Sequence, residues 1–215
     1  MNRCEHDKCL YSVTFREITS NAKKSQMTEV LRAHLIKRLG NDIDNLDLVL
    51  TKFAPIEAKR NQQLLTQGEV CRYVYFIAGG CLQVYTHDQD MNETTRDLVT
   101  EDNWCSDLIS FGSGQPANEN IRTVEPCRLL AIDREGFREM METVPQFDKV
   151  YKQILEVSYA NSVYRINTFV ALSALDRIKW LKENRPGLLS RVSGKLIASY
   201  LGIHKDVFSR LRAKL

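Results

Sequence analysis

Between Lys52 and Asp133 the chain is a series of short runs rich in Val, Ile, Tyr, Phe and Leu, and this stretch limits the fold more than any other feature. The runs are Gln62–Leu65, Val74–Ile77, Cys81–Tyr85, Thr95–Val99 and Arg128–Ile132. Turn signals separate them at Gly68, Gly79–Gly80, His87–Asn92 and Gly112–Asn120. Residues of this type favour a pleated, half-buried surface, and many short strands at such spacing predict an antiparallel sandwich or roll. Gly79–Gly80 lies between two runs and reads as a hairpin turn, because glycine reaches positive φ without penalty.

Helical patterns flank this region. Val30, Leu31, Leu35, Ile36 and Leu39 fall at helical spacing within 27–50, with Gly40 as a stop. Residues 134–143 read as a short helix, and Pro145 marks a break. From there to about Leu172 a long helix is predicted, in which Val150, Ile154, Val157, Asn161, Tyr164, Thr168 and Ala171 recur in alternating steps of four and three. That spacing fits a self-pairing seam in which Asn161 sets register, and it also fits a helix packed on its own domain.

The formal net charge of +3 conceals an asymmetry. Ser173 to Leu215 hold ten Lys or Arg against three Asp or Glu, so this segment carries +7 and the other 172 residues carry −4. A basic end on an acidic body points to nucleic acid, although a solvated helix face would give the same count. Leu175, Ile178 and Leu181 mark one helix, which Asn184-Arg185-Pro186-Gly187 is read as ending. Ser193 is placed to cap a helix carrying Ile197, Ala198 and Leu201; Gly202 and Ile203 form a tight turn; a last helix runs from Lys205 to Leu215. This is a helix-turn-helix pattern. Lys205, Asp206, Ser209 and Arg210 lie opposite the apolar Val207, Phe208 and Leu211, where they suit base edges. Ser193, Lys195, His204, Arg212 and Lys214 are placed for phosphates.

No apolar run reaches the roughly 18 residues that cross a bilayer, and Met1 to Ser25 has no secretory pattern, so a cytoplasmic protein without a membrane partner is expected. Cys71, Cys81, Cys105 and Cys127 sit among apolar neighbours and read as reduced, buried thiols. Cys4, His6 and Cys9 form a weak metal pattern; the alternative is an N-terminal extension over 1–26. The strand region holds only His87, without the paired His of a metal oxygenase, and no nucleophile or carboxylate pair stands out, so no enzyme and no metal site are expected.

In this order the parts resemble the Crp/Fnr transcriptional regulators. Gly68-Glu69, five residues, then Tyr75-Phe76-Ile77-Ala78-Gly79-Gly80-Cys81-Leu82 is similar to the family's Gly-Asp/Glu, five residues, Tyr-Phe-Ile-x-x-Gly-x-Val core. Ile132-Asp133-Arg134-Glu135-Gly136-Phe137 is similar to its Ile-x-Arg-x-x-Phe lead into the helices. Ile197 to Ile203 and Ser209-Arg210-Leu211 resemble the C-terminal half of Crp-type members. The resemblance implies an α+β chain: a double-stranded antiparallel β-roll of the cyclic-nucleotide-binding kind over 27–145, a dimerisation helix over 146–172 and a winged helix-turn-helix over 173–215. It also implies three partners: double-stranded DNA with a near-palindromic operator, a second copy of the chain and RNA polymerase. A β-roll module that senses a ligand or partner without binding DNA is the alternative.

The phosphate-binding cassette departs from the family pattern. Members that bind cyclic AMP carry Phe-Gly-Glu-Leu and, after a loop, Arg-Ser/Thr-Ala. Here Trp104-Cys105-Ser106-Asp107-Leu108 puts Ser106 and Asp107 in place of Gly and Glu, and in Pro116-Ala117-Asn118-Glu119 it is Ala117 that stands where the phosphate-pairing Arg belongs. Without that charge-assisted pair, Ser106, Asp107, Leu108, Ala117 and Asn118 make a degenerate effector pocket, and cyclic nucleotide is not expected as a cofactor. Arg122 is five residues further on and is read as structural. His34 and His87 are read as lone surface histidines.

Overall fold

The computed structural model describes residues 24–214 except 42, 44 and 145. Cys4, His6, Cys9 and most of the expected N-terminal extension lie outside the described residues. A helix, α1, occupies 24–39, and Met27, Leu31 and Leu35 bury one of its faces in the core. A separate short helix, α2, follows at Leu46–Thr51.

Eight strands then form: β1 Ala54–Ala58, β2 Gln63–Leu65, β3 Tyr73–Gly79, β4 Leu82–His87, β5 Glu93–Val99, β6 Trp104–Cys105, β7 Asn120–Thr123 and β8 Cys127–Asp133. They make two four-stranded antiparallel sheets, ordered β1-β8-β3-β6 and β2-β7-β4-β5. Phe76, Ile77, Leu129, Leu130 and Ile132 of the first sheet and Leu82 and Ile121 of the second are fully buried, which places the core between the sheets.

Gly79–Gly80 is not a hairpin turn. β3 and β4 belong to different sheets, and the chain crosses between them here. Gly80 has φ 104°, and a Cβ on it would lie 2.8 Å from the Pro126 carbonyl oxygen, so glycine is needed for a close backbone crossing. The glycines permit the sharp change of direction, but which strand pairs with which depends on contacts distant in sequence.

A short helix, α3, at Leu108–Ser113 interrupts the strands. After β8 come α4 Arg134–Thr143 and α5 Phe147–Ala171. The remaining helices are α6 Ala174–Asn184, α7 Pro186–Arg191, α8 Gly194–Leu201 and α9 Lys205–Arg212. Residues 184–187 thus end one helix and begin another, because proline at a first helical position lacks only an N–H that would be unpaired anyway. Among the described residues no strand follows β8, so 173–214 is all helical and the implied wing is not formed there.

The C-terminal helices share a core with the β-roll. Ile178, Leu181, Leu188, Ile197 and Leu201 cluster with Cys81, Leu98 and Val124 from the strand region. β5 is an edge strand of its sheet, and its free backbone groups are met from the helical side. Thr95 N donates to Ser199 Oγ at 2.9 Å, Arg165 Nη2 to Thr95 O at 2.8 Å and Arg185 Nη1 to Leu98 O at 3.0 Å. Covering an edge in this way satisfies groups that would otherwise be left unpaired or open to another chain. Arg191 adds ion pairs to Glu101, at 2.6 Å, and to Glu125.

Candidate nucleic-acid interface and effector pocket

Helices α8 and α9 meet through Ala198 and Phe208, both buried, and Gly202 turns the chain between them at φ 62°. A Cβ on Gly202 would collide with the Phe169 ring of α5, so the turn also seats the helix pair against the long helix. Ser193 caps α8 by accepting from Leu196 N, and His204 caps α9 by accepting from Asp206 N, both at 3.4 Å. With Phe208 inward and Val207 and Leu211 half-buried, Lys205, Asp206, Ser209 and Arg210 share one exposed face of α9. Lys195 and Lys214 are exposed as well. Arg212 donates to Leu189 O at 3.1 Å and so ties α9 to α7. The structure therefore gathers the expected base-facing residues on one surface, flanked by expected phosphate-facing ones.

The expected effector pocket is not gathered in the same way. Asp107 is buried and committed to backbone: its carboxylate accepts from Ser110 N at 3.0 Å and Asn118 N at 3.2 Å. Ala117 is buried and bonded on both sides, to Glu69 O and from Gly68 N. Asn118 is exposed. Only Ser106 and Leu108 of the five line the β-roll cavity, which measures about 80 Å³ and is closed by Val74, Val84 and, from α5, Val150. Ligand pockets start near roughly 300 Å³, so this one has room for a few waters. Glu119 pairs with Arg96. Arg122 is structural, as read: it makes a two-pronged pair with Glu93 (2.7 and 2.5 Å), donates to Gln83 Oε1 and lies over the Tyr85 ring.

One further expectation needs correction. His34 is buried, not a surface residue. Its Nδ1 lies 2.5 Å from Asp102, and Trp104 Nε1 donates to its Nε2 at 2.9 Å. Burial holds its imidazole below the usual value against the opposing pull of Asp102. Of the stripe expected as a dimer seam, Val150 is fully buried in the core and Ile154 packs on it, whereas Val157, Asn161 and Tyr164 are exposed in the single chain, Tyr164 with its ring 5.0 Å from that of Trp180. Val157 and Asn161 border the β-roll cavity. The apolar residues that α5 leaves open are Val157 and Tyr164 of that stripe and, on a second one, Leu155, Tyr159, Val163, Ile166 and Val170, again about one turn apart. Apolar side chains surround α5, so its sequence contains two such stripes and does not mark which one the body takes.

Cys71, Cys81, Cys105 and Cys127 are buried free thiols, as expected. Burial pushes the Cys81 thiol up to about 12 and Cys127 to about 11, so neither is a nucleophile at neutral pH. Sequence reasoning missed Thr95, Ser199 and Arg165, whose roles arise only where β5 meets the helices. No described helix is long and apolar enough to cross a membrane.

Residues 55–144 match the cyclic nucleotide-binding domain family. No curated protein sequence gives a significant match. Solved structures do match across most of the chain. FixK2 from Bradyrhizobium japonicum has a TM-score of 0.67 at 14% identity, covering 76% of this chain and 84% of that one. The c-di-GMP-responsive global regulator CLP of Xanthomonas campestris has a TM-score of 0.64 at 16% identity, covering 79% and 89%. A structure from Eubacterium rectale assigned to the Crp/Fnr family of transcriptional regulators has a TM-score of 0.63 at 16% identity, covering 82% and 85%. Residues 55–144 thus match the cyclic nucleotide-binding domain family, and the chain shares its overall fold with these solved structures, one of them assigned to the Crp/Fnr family of transcriptional regulators.

Proposed function

We propose that the protein is a sequence-specific DNA-binding transcriptional regulator that acts as a homodimer. The observation that carries this reading is the exposed face of α9, where Lys205, Asp206, Ser209 and Arg210 stand together over a buried Phe208. Arg and Lys donate to guanine edges in the major groove and Asp accepts from cytosine N4, while Lys195, Lys214 and the helix caps meet phosphates. Two chains pair through Leu155, Tyr159, Val163, Ile166 and Val170 of α5. The two α9 helices then enter half-sites about 34 Å apart, which makes the operator a near-palindrome. RNA polymerase is the partner expected at such a promoter.

Cyclic AMP in the family's usual mode does not fit this reading, since Asp107 and Ala117 are closed into backbone bonds. An effector acts only by binding one arrangement of β-roll and C-terminal helices better than another. Selection of binding sites from random duplex DNA tests the function: a palindromic motif is expected, and recovery of none, with no shift of duplex DNA in a gel, leaves the β-roll sensing module as the better reading.

A further inference from the structure

A second cavity, about 330 Å³, lies between α5, β5 and the C-terminal helices. Its size is within the range of ligand pockets, roughly 300–1,000 Å³, and it is several times larger than the β-roll cavity beside it. Four guanidinium groups line it, from Arg96, Arg165, Arg177 and Arg185, against one carboxylate, Asp97. Arg96 pairs with Glu119, and Arg185 lies 3.6 Å from Asp97. Arg165 and Arg177 have no carboxylate partner among the described residues. Arg177 donates to three backbone carbonyls, of Phe169, Leu172 and Leu201. Arg165 donates to Thr95 O through Nη2, and its other polar neighbour is the Tyr200 hydroxyl.

Burial pushes the Arg165 guanidinium down from its ordinary value against the opposing pull of Tyr200 and Asp97, so a charge held here without a carboxylate in contact is costly. Rings form much of the remaining wall: Tyr164, Phe169, Trp180 and Tyr200. Arg165 lies 4.8 Å from the centroids of Phe169 and Tyr200, so cationic and aromatic surfaces are interleaved. A bare inorganic anion would answer the charge and leave the rings wet. An apolar molecule would answer the rings and leave the charge buried.

We propose that this cavity binds a flat organic anion, an aromatic ring system bearing a carboxylate or phosphate group, with its charge among Arg165, Arg177 and Arg185 and its ring against Trp180 and Tyr200. Such a ligand touches the sensor strand through Arg96 and Asp97, the long helix through Asn161 and Arg165, and the C-terminal helices through Trp180 and Arg185. It bridges all three parts of the chain and is placed to fix their arrangement. Binding itself does not depend on the DNA-binding reading and is measured on the free protein.

The test titrates the full chain with indole-3-carboxylate and, separately, with guanosine 5′-monophosphate, by calorimetry. A Trp104→Phe background leaves Trp180 as the only indole of the protein and reports the guanosine titration by fluorescence. Saturable binding of one ligand per chain is expected for at least one probe, and the arm that binds tells a carboxylate from a phosphate ligand. Arg165→Gln weakens it tenfold or more, Thr168→Trp, which fills the cavity, abolishes it, and Leu108→Trp, which fills the β-roll cavity, leaves it unchanged. No binding of either probe overturns the proposal. So does binding that survives Thr168→Trp or is lost in Leu108→Trp, since the ligand would then sit elsewhere. Thermal melts establish that each variant is folded, and Thr168→Trp keeps the test decisive if Arg165→Gln is not.

Discussion

The Ser199 hydroxyl of α8 accepts a hydrogen bond from the backbone N–H of Thr95 at 2.9 Å and donates to Glu93 O at 3.3 Å. One side chain of the helix-turn-helix therefore completes the edge of the β-roll's second sheet. Removing it leaves the Thr95 N–H without its partner in a site where Thr95 is fully buried. Ser199→Ala should cost about 1 kcal/mol of stability, typical of a lost hydrogen bond, read from denaturant midpoints. Amide hydrogen exchange at Thr95 should speed up, and an unchanged rate would show that the contact does not hold the helix to the strand.

On α9, Arg210→Ala should lower affinity for the selected operator by about 1–3 kcal/mol and relax preference at one base pair in each half-site. Lys195→Ala should act differently, weakening all sequences alike and reducing the salt dependence of binding by about one counterion. Binding isotherms at several salt concentrations on matched and mismatched duplexes separate the two. Equal behaviour of the variants would contradict the division into base-facing and phosphate-facing residues.

For the pairing of chains, Ile166→Asp should give a folded monomer in sedimentation, because Ile166 is exposed in the single chain and a charge costs little there until a partner covers it. Val150→Asp should instead unfold the protein, because Val150 is inside the core. A dimer that survives Ile166→Asp and Tyr159→Asp together would move the interface off this stripe.

Calorimetry with cyclic AMP should show no micromolar binding to the β-roll cavity. Ala117→Arg alone should not restore it, since Asp107 remains bonded to Ser110 and Asn118 and the cavity stays near 80 Å³. Heat that disappears in Leu108→Trp would place cyclic nucleotide in the β-roll after all.

His34 gives a pH dependence of definite sign. Its folded value is lowered by burial, so the unfolded chain binds the proton more readily. Its contribution is fully present above the unfolded value, near 6.5, and is lost as pH falls from there towards the folded one. Protonation at Nε2 would also break the bond from Trp104. Stability of the native protein should therefore fall between pH 7 and 5, and His34→Gln should show a shallower slope over that window. Equal slopes would mean that His34 does not carry the effect.

The short β-rich runs, the glycine punctuation and the helix-turn-helix spacing are local signals, and strands, turn and helices form where those signals stand. Phe208 inward and Lys205, Asp206, Ser209 and Arg210 outward follow from helical periodicity alone. The departure of Ser106, Asp107 and Ala117 from the family's cassette was equally visible in the sequence.

Other features were decided only by tertiary structure, because they rest on contacts between residues far apart in the chain. Gly79–Gly80 announced a turn, but long-range pairing made it a crossing between sheets. His34 shares the Met27, Leu31 and Leu35 face of α1 by helical spacing, but the partners that satisfy it there, Asp102 and Trp104, are far away in the sequence. α5 offered two apolar stripes, and the body took the one containing Val150 and Ile154. The cavity around Arg165 is formed by α5, β5 and the C-terminal helices, no one of which contains it. Periodicity tells a residue which side of its own element it occupies; which surface meets that side is fixed by the packing of the whole chain.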